Sequence, residues 1–320
     1  MAKYRQAPSQ MRGDFFLTDG GIETTLIFLE GQDLPYFAAF HLFGTPEGER
    51  ALRTYFRTYA ELAQKHRAGL LLESATWRAS ADWGDKLAYT RDALAEVNRK
   101  SVRLLEEIRD EYETPRTPIV ISGCVGPRGD GYVPGNTMSD RQAEDYHSSQ
   151  VETFAGTAAD LVTAITMNYA EEAVGIARAA RNATMPVVIS FTVETDGKLA
   201  TGQSLGDAIR QVDDATSGYP AYFMINCAHP THFSRVVGGD EPWVDRIRGL
   251  RANASTMSHA ELNEAPQLDA GNPAELGRDY AALKAHQLKS LNVFGGCCGT
   301  DHRHVEQIAL ACLPLFHRAV

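Results

Sequence analysis

The chain carries five cysteines, at positions 124, 227, 297, 298 and 312, and three of them are spaced for chemistry. Gly295-Gly296-Cys297-Cys298-Gly299-Thr300 sets two thiols side by side between glycines, which lets the backbone turn tightly around them. Asn226-Cys227-Ala228-His229-Pro230 places a third thiol at the end of an apolar run. As thiolates these side chains ligate a soft or borderline metal such as Zn²⁺, and three protein ligands with one open position describe a catalytic zinc centre. Three anionic sulfurs dampen the Lewis acidity of the metal, so water activation is disfavoured. The open position suits a substrate thiol, which the metal keeps deprotonated at neutral pH as a sulfur nucleophile. The reaction class that follows is thiol alkylation, with the metal lowering the thiol pKa in place of a separate general base. Cys124 reads as a buried structural cysteine, Cys312 as core in the last helix, and His229 as a loop residue or an outer partner of the metal site.

Two distant segments converge on one site only if the fold brings them there. Eight short, largely continuous apolar runs read as strands buried on both faces: 15–19, 70–76, 119–123, 161–166, 187–192, 222–226, 247–253 and 292–295. Helical patterns lie between them at 51–65, 90–109, 140–159, 171–181, 204–215, 274–288 and 303–313, while 231–245 is broken by glycine and proline. This is the count for an α/β fold of a single (β/α)8 TIM barrel, with the chain, 1–320, forming one domain. A doubly wound sheet is the rival; no GxGxxG follows the first strand. Strands six and eight of a barrel are separated by one strand, so Cys227, Cys297 and Cys298 meet at the C-terminal mouth. Long loops at 20–49 and 254–273 leave strand ends and are placed to cover it.

Composition narrows the partners. Lys and Arg total 31 against 41 Asp and Glu, a net charge of −10. That argues against a basic face for nucleic acid or an anionic membrane, and leaves room for a small local basic pocket. No apolar run reaches the ~20 residues of a membrane helix, and the first residues lack the apolar core of a signal peptide. A cytoplasmic protein, monomeric or a small homo-oligomer, is expected. An odd cysteine count with an adjacent pair argues against a secreted disulfide framework.

GGCCGT near the C-terminus, NC after the sixth strand and DGG after the first together resemble the homocysteine S-methyltransferases, nearly end to end from Leu17 to Thr300. The resemblance implies a (β/α)8 barrel, zinc held by Cys227, Cys297 and Cys298, and transfer of a methyl group from a sulfonium or quaternary ammonium donor to homocysteine. It implies that Asp19, ending the first strand, helps bind homocysteine, where a carboxylate can pair with the ammonium group. Gly20 and Gly21 allow close approach of backbone to substrate, and Glu23 is a rival for the acidic role. Thr76 and Trp77 match the family's threonine–aromatic segment; an indole face suits a methyl-onium donor through cation–π attraction. Arg128, Asp130 and Tyr132 follow the third strand and either shape the donor pocket or form a structured turn. Asn226 precedes the first ligand.

One departure stands out. The family places a glutamate after the fourth strand that also contacts the substrate amino group, and this chain has Ile165, followed by Thr166 and Asn168. Glu194, after the fifth strand, is the available replacement. The missing acid leaves the metal chemistry untouched and opens the acceptor's identity. Two other readings remain compatible with the residues: the same zinc site acting on a different thiol, or as a hydrolase or lyase, and a non-catalytic zinc or redox-sensing protein. The short stretch after Cys298 favours a sulfonium donor.

Overall fold

The computed structural model describes residues 1–265 and 267–316. Eight parallel strands close into a barrel in sequence order: β1 (Phe16–Leu17), β2 (Gly69–Glu73), β3 (Ile119–Val125), β4 (Leu161–Met167), β5 (Val187–Phe191), β6 (Tyr222–Asn226), β7 (Ile247–Ala252) and β8 (Val293–Gly296), with β8 pairing back onto β1. The barrel expectation therefore holds, and the doubly wound alternative does not. The helices that follow the strands are α1 (Pro46–His66), α2 (Arg91–Tyr112), α3 (Asp140–Ala155), α4 (Ala170–Asn182), α5 (Leu205–Thr216), α6 (Pro230–Phe233), α7 (Pro273–His286) and α8 (His302–Cys312). The broken pattern at 231–245 becomes the four-residue α6 and a 3-10 turn at Val244–Arg246.

Local chemistry sets where the helices begin. The Thr45 hydroxyl accepts from Gly48 N at the start of α1, five residues before the apolar periodicity announces it. Ser139 and Gln142 form a reciprocal cap on α3, and Asp301 caps α8 directly after the cysteine turn. The 20–49 loop is not irregular: it folds into short helical turns at Ile22–Thr24, Thr25–Leu29 and Ala39–Gly44.

Inside the barrel, side chains stack in layers, as alternate strand residues must. The floor is apolar, with Phe16, Leu71, Val120, Leu161, Val188 and Met224 packed together. The next layer toward the C-terminal end is polar: Glu73, Ser122, Thr163, Ser190, Asn226 and Arg251 are all buried. Polar side chains in a barrel interior must satisfy one another, and this layer, Glu73 Oε1 excepted, does so while forming the base of the mouth.

Candidate active site

A cavity of about 330 Å³ opens at the C-terminal mouth. Cys227, Cys297 and Cys298 line it, their sulfurs all within 4.8 Å of one another. Cys227 directly follows β6, with φ of 53°, and its N–H donates to Arg251 O on β7 at 3.0 Å. This left-handed conformation is costly for a residue with a Cβ and turns the sulfur inward. Cys297 and Cys298 sit on the turn after β8, where Gly299 adopts φ of 77°. Gly21 is needed opposite: a Cβ there would lie 2.4 Å from Cys297 O, so only glycine lets the β1 loop close on the cysteine turn. The Cys227 and Cys297 sulfurs are bonded to each other, with Cα atoms 5.3 Å apart, and Cys298 is a free thiol whose pKa burial raises. The Tyr132 hydroxyl lies 3.6 Å from Cys298 Sγ.

Three thiols at this separation, with no carboxylate among them, are a donor set suited to zinc once reduced. Cys124 lines the same cavity but stands outside the cluster, buried with its thiol pKa pushed well up by desolvation. His229 is outside it too: its Nδ1 accepts from Thr231 N and caps α6, and burial holds its pKa down to about 4.

The acidic residues separate sharply. Asp19 lines the cavity, but Arg251 Nη2 donates to its Oδ1 at 2.6 Å and the Tyr55 hydroxyl to its Oδ2 at 2.9 Å. Arg251 also donates through Nη1 to Glu73 Oε2 at 2.8 Å, through Nε to Gly296 O at 3.1 Å and through Nη2 to Gly20 O at 3.1 Å. One guanidinium thus ties β1, β2, β7 and β8 together beneath the cysteine turn. Desolvation opposes its charge, and Asp19 and Glu73 more than offset that. The same desolvation raises the Asp19 pKa and pushes that of Glu73 up to about 7. Glu23 also lines the cavity, free of any side-chain partner among the described residues, and desolvation pushes its carboxyl up to about 7.

Glu194 does not take up the vacated role: it is outside the cavity wall, its Oε1 3.2 Å from His259 Nδ1. His259 in turn places Nε2 2.5 Å from Cys227 O and lays its ring over Tyr132, centroids 4.1 Å apart. Ile165 does face the cavity. It is held there by a strand irregularity between Ala164 and Met167, where Thr166 has φ of 66°. Asn226 locks this conformation: Thr166 N donates to its Oδ1 at 3.0 Å, its Nδ2 donates to Thr166 Oγ1 at 2.9 Å, and Ser190 Oγ donates to Oδ1 at 2.6 Å. Asn226 is therefore consumed beneath the site. Thr76 is also off the cavity wall, bonded to Ser74 and to Cys124 O. Asn168 donates to the carbonyls of Asp130 and Gly131, fixing the loop that carries Tyr132. Arg128 points away, paired with Asp82.

Trp77 lines the cavity, but the Arg78 guanidinium covers one face of its indole at 3.9 Å. Sequence reasoning missed Arg78, Arg251, Glu73 and His259. For Arg251 and Glu73 a signal existed: Glu73 is the one charge of an otherwise apolar strand and Arg251 lies in a strand whose other charge is also Arg, and charges in such runs are buried as pairs with partners elsewhere.

An eight-stranded barrel with a thiol cluster at its C-terminal mouth is the architecture of an enzyme site. The homocysteine S-methyltransferase family model matches residues 16–312, and the chain belongs to that family. Methionine synthase from Mycobacterium leprae is 26% identical over 275 residues, covering 81% of this chain and 20% of that protein. The chain thus spans about a fifth of that curated relative. Homocysteine S-methyltransferase 4 from Zea mays is 23% identical over 265 residues, 74% of each protein. The Escherichia coli homocysteine methyltransferase MmuM shares the fold: its oxidized form superposes with a TM-score of 0.72 at 20% identity, covering 96% of this chain and 99% of that one. Its metallated form gives 0.70 at 18% identity, covering 93% and 96%.

Proposed function

We propose that this protein transfers a methyl group from a sulfonium or quaternary ammonium donor to a small thiol, with homocysteine, giving methionine, as the acceptor that family membership favours. The observation that carries the reading is the meeting of three thiols from β6 and β8 in one cavity. Cys227, Cys297 and Cys298 are the residues that would hold zinc, which when bound supplies a substrate thiol with a pKa low enough to be a thiolate at neutral pH. The acceptor sulfur bonds to the methyl carbon as the carbon–onium bond breaks, and the donor leaves as a neutral sulfide or amine. The barrel mouth contributes alignment of sulfur and methyl, which is worth much of the rate. The indole of Trp77 and the side chain of Ile165 give the cavity an apolar wall that limits water around the cationic donor.

Within this reading the acceptor's amino group has few partners. Asp19 is neutralised by Arg251, Glu194 is drawn to His259, and position 165 is apolar. Glu23 and Asp130 are carboxylates on the cavity wall without a side-chain partner among the described residues; Asp130 is taken up by the backbone N–H groups of Tyr132 and Val133, and Glu23 is left to meet the amino group. The experiment is a matrix of onium donors against thiols, on reduced, zinc-loaded protein, scoring methylated thiol by mass spectrometry. Methylation of homocysteine or a related thiol supports the proposal. Zinc-loaded protein that methylates no thiol with any donor class sinks it.

A further inference from the structure

Among the described residues three arginines are buried: Arg78, Arg109 and Arg251. Two are explained by carboxylates. Arg109 pairs with Asp160 at 3.0 Å, and Arg251 with Asp19 and Glu73. Arg78 has no such partner: among the described residues no carboxylate lies within salt-bridge distance of it, and its one hydrogen bond runs from Nη1 to Gly129 O at 2.8 Å. The Asp130 and Glu23 carboxylates on the same cavity wall offset part of its desolvation from beyond ion-pair distance, but a buried cation without a direct anionic partner is expensive, so its retention calls for a ligand.

The geometry of Arg78 is that of a built site. Its guanidinium is sandwiched between two indoles, 3.9 Å from the centroid of Trp77 and 3.8 Å from that of Trp83. Both faces of the plane are covered and one edge is used by Gly129. The edge bearing Nε and Nη2 donates to nothing among the described residues, and Nε is fully enclosed without a partner. That edge matches the two oxygens of a carboxylate side-on. Arg78 lines the same cavity as the three cysteines and is 5% exposed. The loop that anchors it through Gly129 carries Tyr132, whose hydroxyl touches Cys298, so the free edge and the thiols belong to one enclosure. Desolvation lowers the guanidinium pKa to about 10, leaving it charged at neutral pH.

We infer that Arg78 is the anion-reading residue of this site, and that the small-molecule substrate carries a carboxylate which docks on its Nε–Nη2 edge. That the ligand is a methyl-transfer substrate rests on the function proposed above. The carboxylate belongs either to the thiol acceptor or to the onium donor. In both cases the class is narrowed to small organosulfur or onium acids, and neutral or purely cationic substrates are disfavoured.

The test begins with binding, which needs neither metal nor turnover. Trp77 and Trp83 flank Arg78, so tryptophan fluorescence reports occupancy. The probes are 3-(methylthio)propionate and its uncharged amide, titrated into wild type, Arg78→Met and Arg78→Lys. A charge-assisted bidentate contact predicts that wild type binds the acid about 10- to 150-fold more tightly than the amide. The ratio should fall close to one in Arg78→Met. Arg78→Lys keeps a charge but loses the fork and should show a reduced ratio, which keeps the test decisive if the methionine variant does not fold. Turnover on zinc-loaded protein then locates the source. One arm compares 4-mercaptobutyrate with its amide as acceptor; the other compares dimethylsulfoniopropionate with its amide as donor. The arm whose discrimination depends on Arg78 identifies which substrate carries the acid. No preference for acid over amide in wild type, or a preference surviving intact in both variants, overturns the inference. An Arg78-dependent binding preference without transfer from any donor would sustain the anion site and sink the methyltransferase reading instead.

Discussion

Replacing Arg251 with methionine perturbs the structure in a way that can be worked out from its contacts. The substitution keeps most of the side-chain volume and removes ion pairs to Asp19 at 2.6 Å and Glu73 at 2.8 Å, together with hydrogen bonds to Gly20 O and Gly296 O. Both carboxylates are buried, so each is left as an uncompensated charge or must take up a proton. Breaking a buried pair by removing one partner costs about 3–5 kcal/mol. At an unfolding entropy of about 2.1 cal/mol/K per residue, a 320-residue chain loses roughly 4–7 °C of Tm for that cost. The assay is thermal unfolding at pH 7 followed by circular dichroism, with a second variant as the control: Asp19→Asn, Glu73→Gln and Arg251→Met combined. Replacing the whole charged set removes the uncompensated charges, so the triple variant should recover more than half of the loss. An Arg251→Met protein within 1 °C of wild type, or a triple variant less stable than the single one, would refute the reasoning.

Asn226→Ala removes three buried hydrogen bonds and the clamp on the left-handed Thr166. It should cost about 2–4 kcal/mol in denaturant unfolding, and a loss under 1 kcal/mol would mean that Thr166 holds its own conformation. Ile165→Glu should raise the preference for homocysteine over an amino-free thiol of equal length by about 10- to 150-fold in kcat/KM, provided the acid ionises; an unchanged ratio would show that Glu23 or another carboxylate already serves the amino group. Trp77→Leu should weaken the donor's KM far more than the acceptor's, by about 2- to 30-fold, through the part of the indole that lines the cavity; equal effects on both would make the ring a packing element only. Glu73 has a folded pKa raised to about 7, so between about 4.5 and 7 the folded state holds a proton that the unfolded state has lost. Stability therefore falls as pH rises through that window, and Glu73→Gln should flatten the slope; a slope unchanged in the variant would assign it elsewhere.

The barrel was legible because its strands are buried on both faces and read as near-continuous apolar runs, each ended by a turn. The cysteines were legible because vicinal thiols between glycines serve little in packing, and barrel topology brings the ends of β6 and β8 together. What escaped was pairing across the barrel. Glu73 ends an apolar strand and Arg251 shares its strand only with another arginine, so neither has a partner in its own run, and only closure of the sheet sets them 2.8 Å apart. The same pairing removed Asp19 as a free carboxylate, which its position in the DGG turn does not reveal. Ile165 was found by comparison with a pattern, but its exposure to the cavity depends on the irregularity at Thr166, which only the bond set of Asn226 explains. Arg78 follows Trp77 directly, and its significance lies in lacking an ion pair, a property no local sequence displays.

The account stands or falls on zinc-dependent transfer at the three thiols. The most direct measurement is methylated thiol formed per zinc bound, taken on reduced wild type at graded zinc loading and on Cys227→Ala, Cys297→Ala and Cys298→Ala, with homocysteine and S-methylmethionine as substrates. The account predicts product in proportion to zinc up to one equivalent in wild type, and loss of both zinc and product in each variant with the barrel still folded. Transfer at full rate by zinc-free protein, or full zinc occupancy in all three variants, would contradict it.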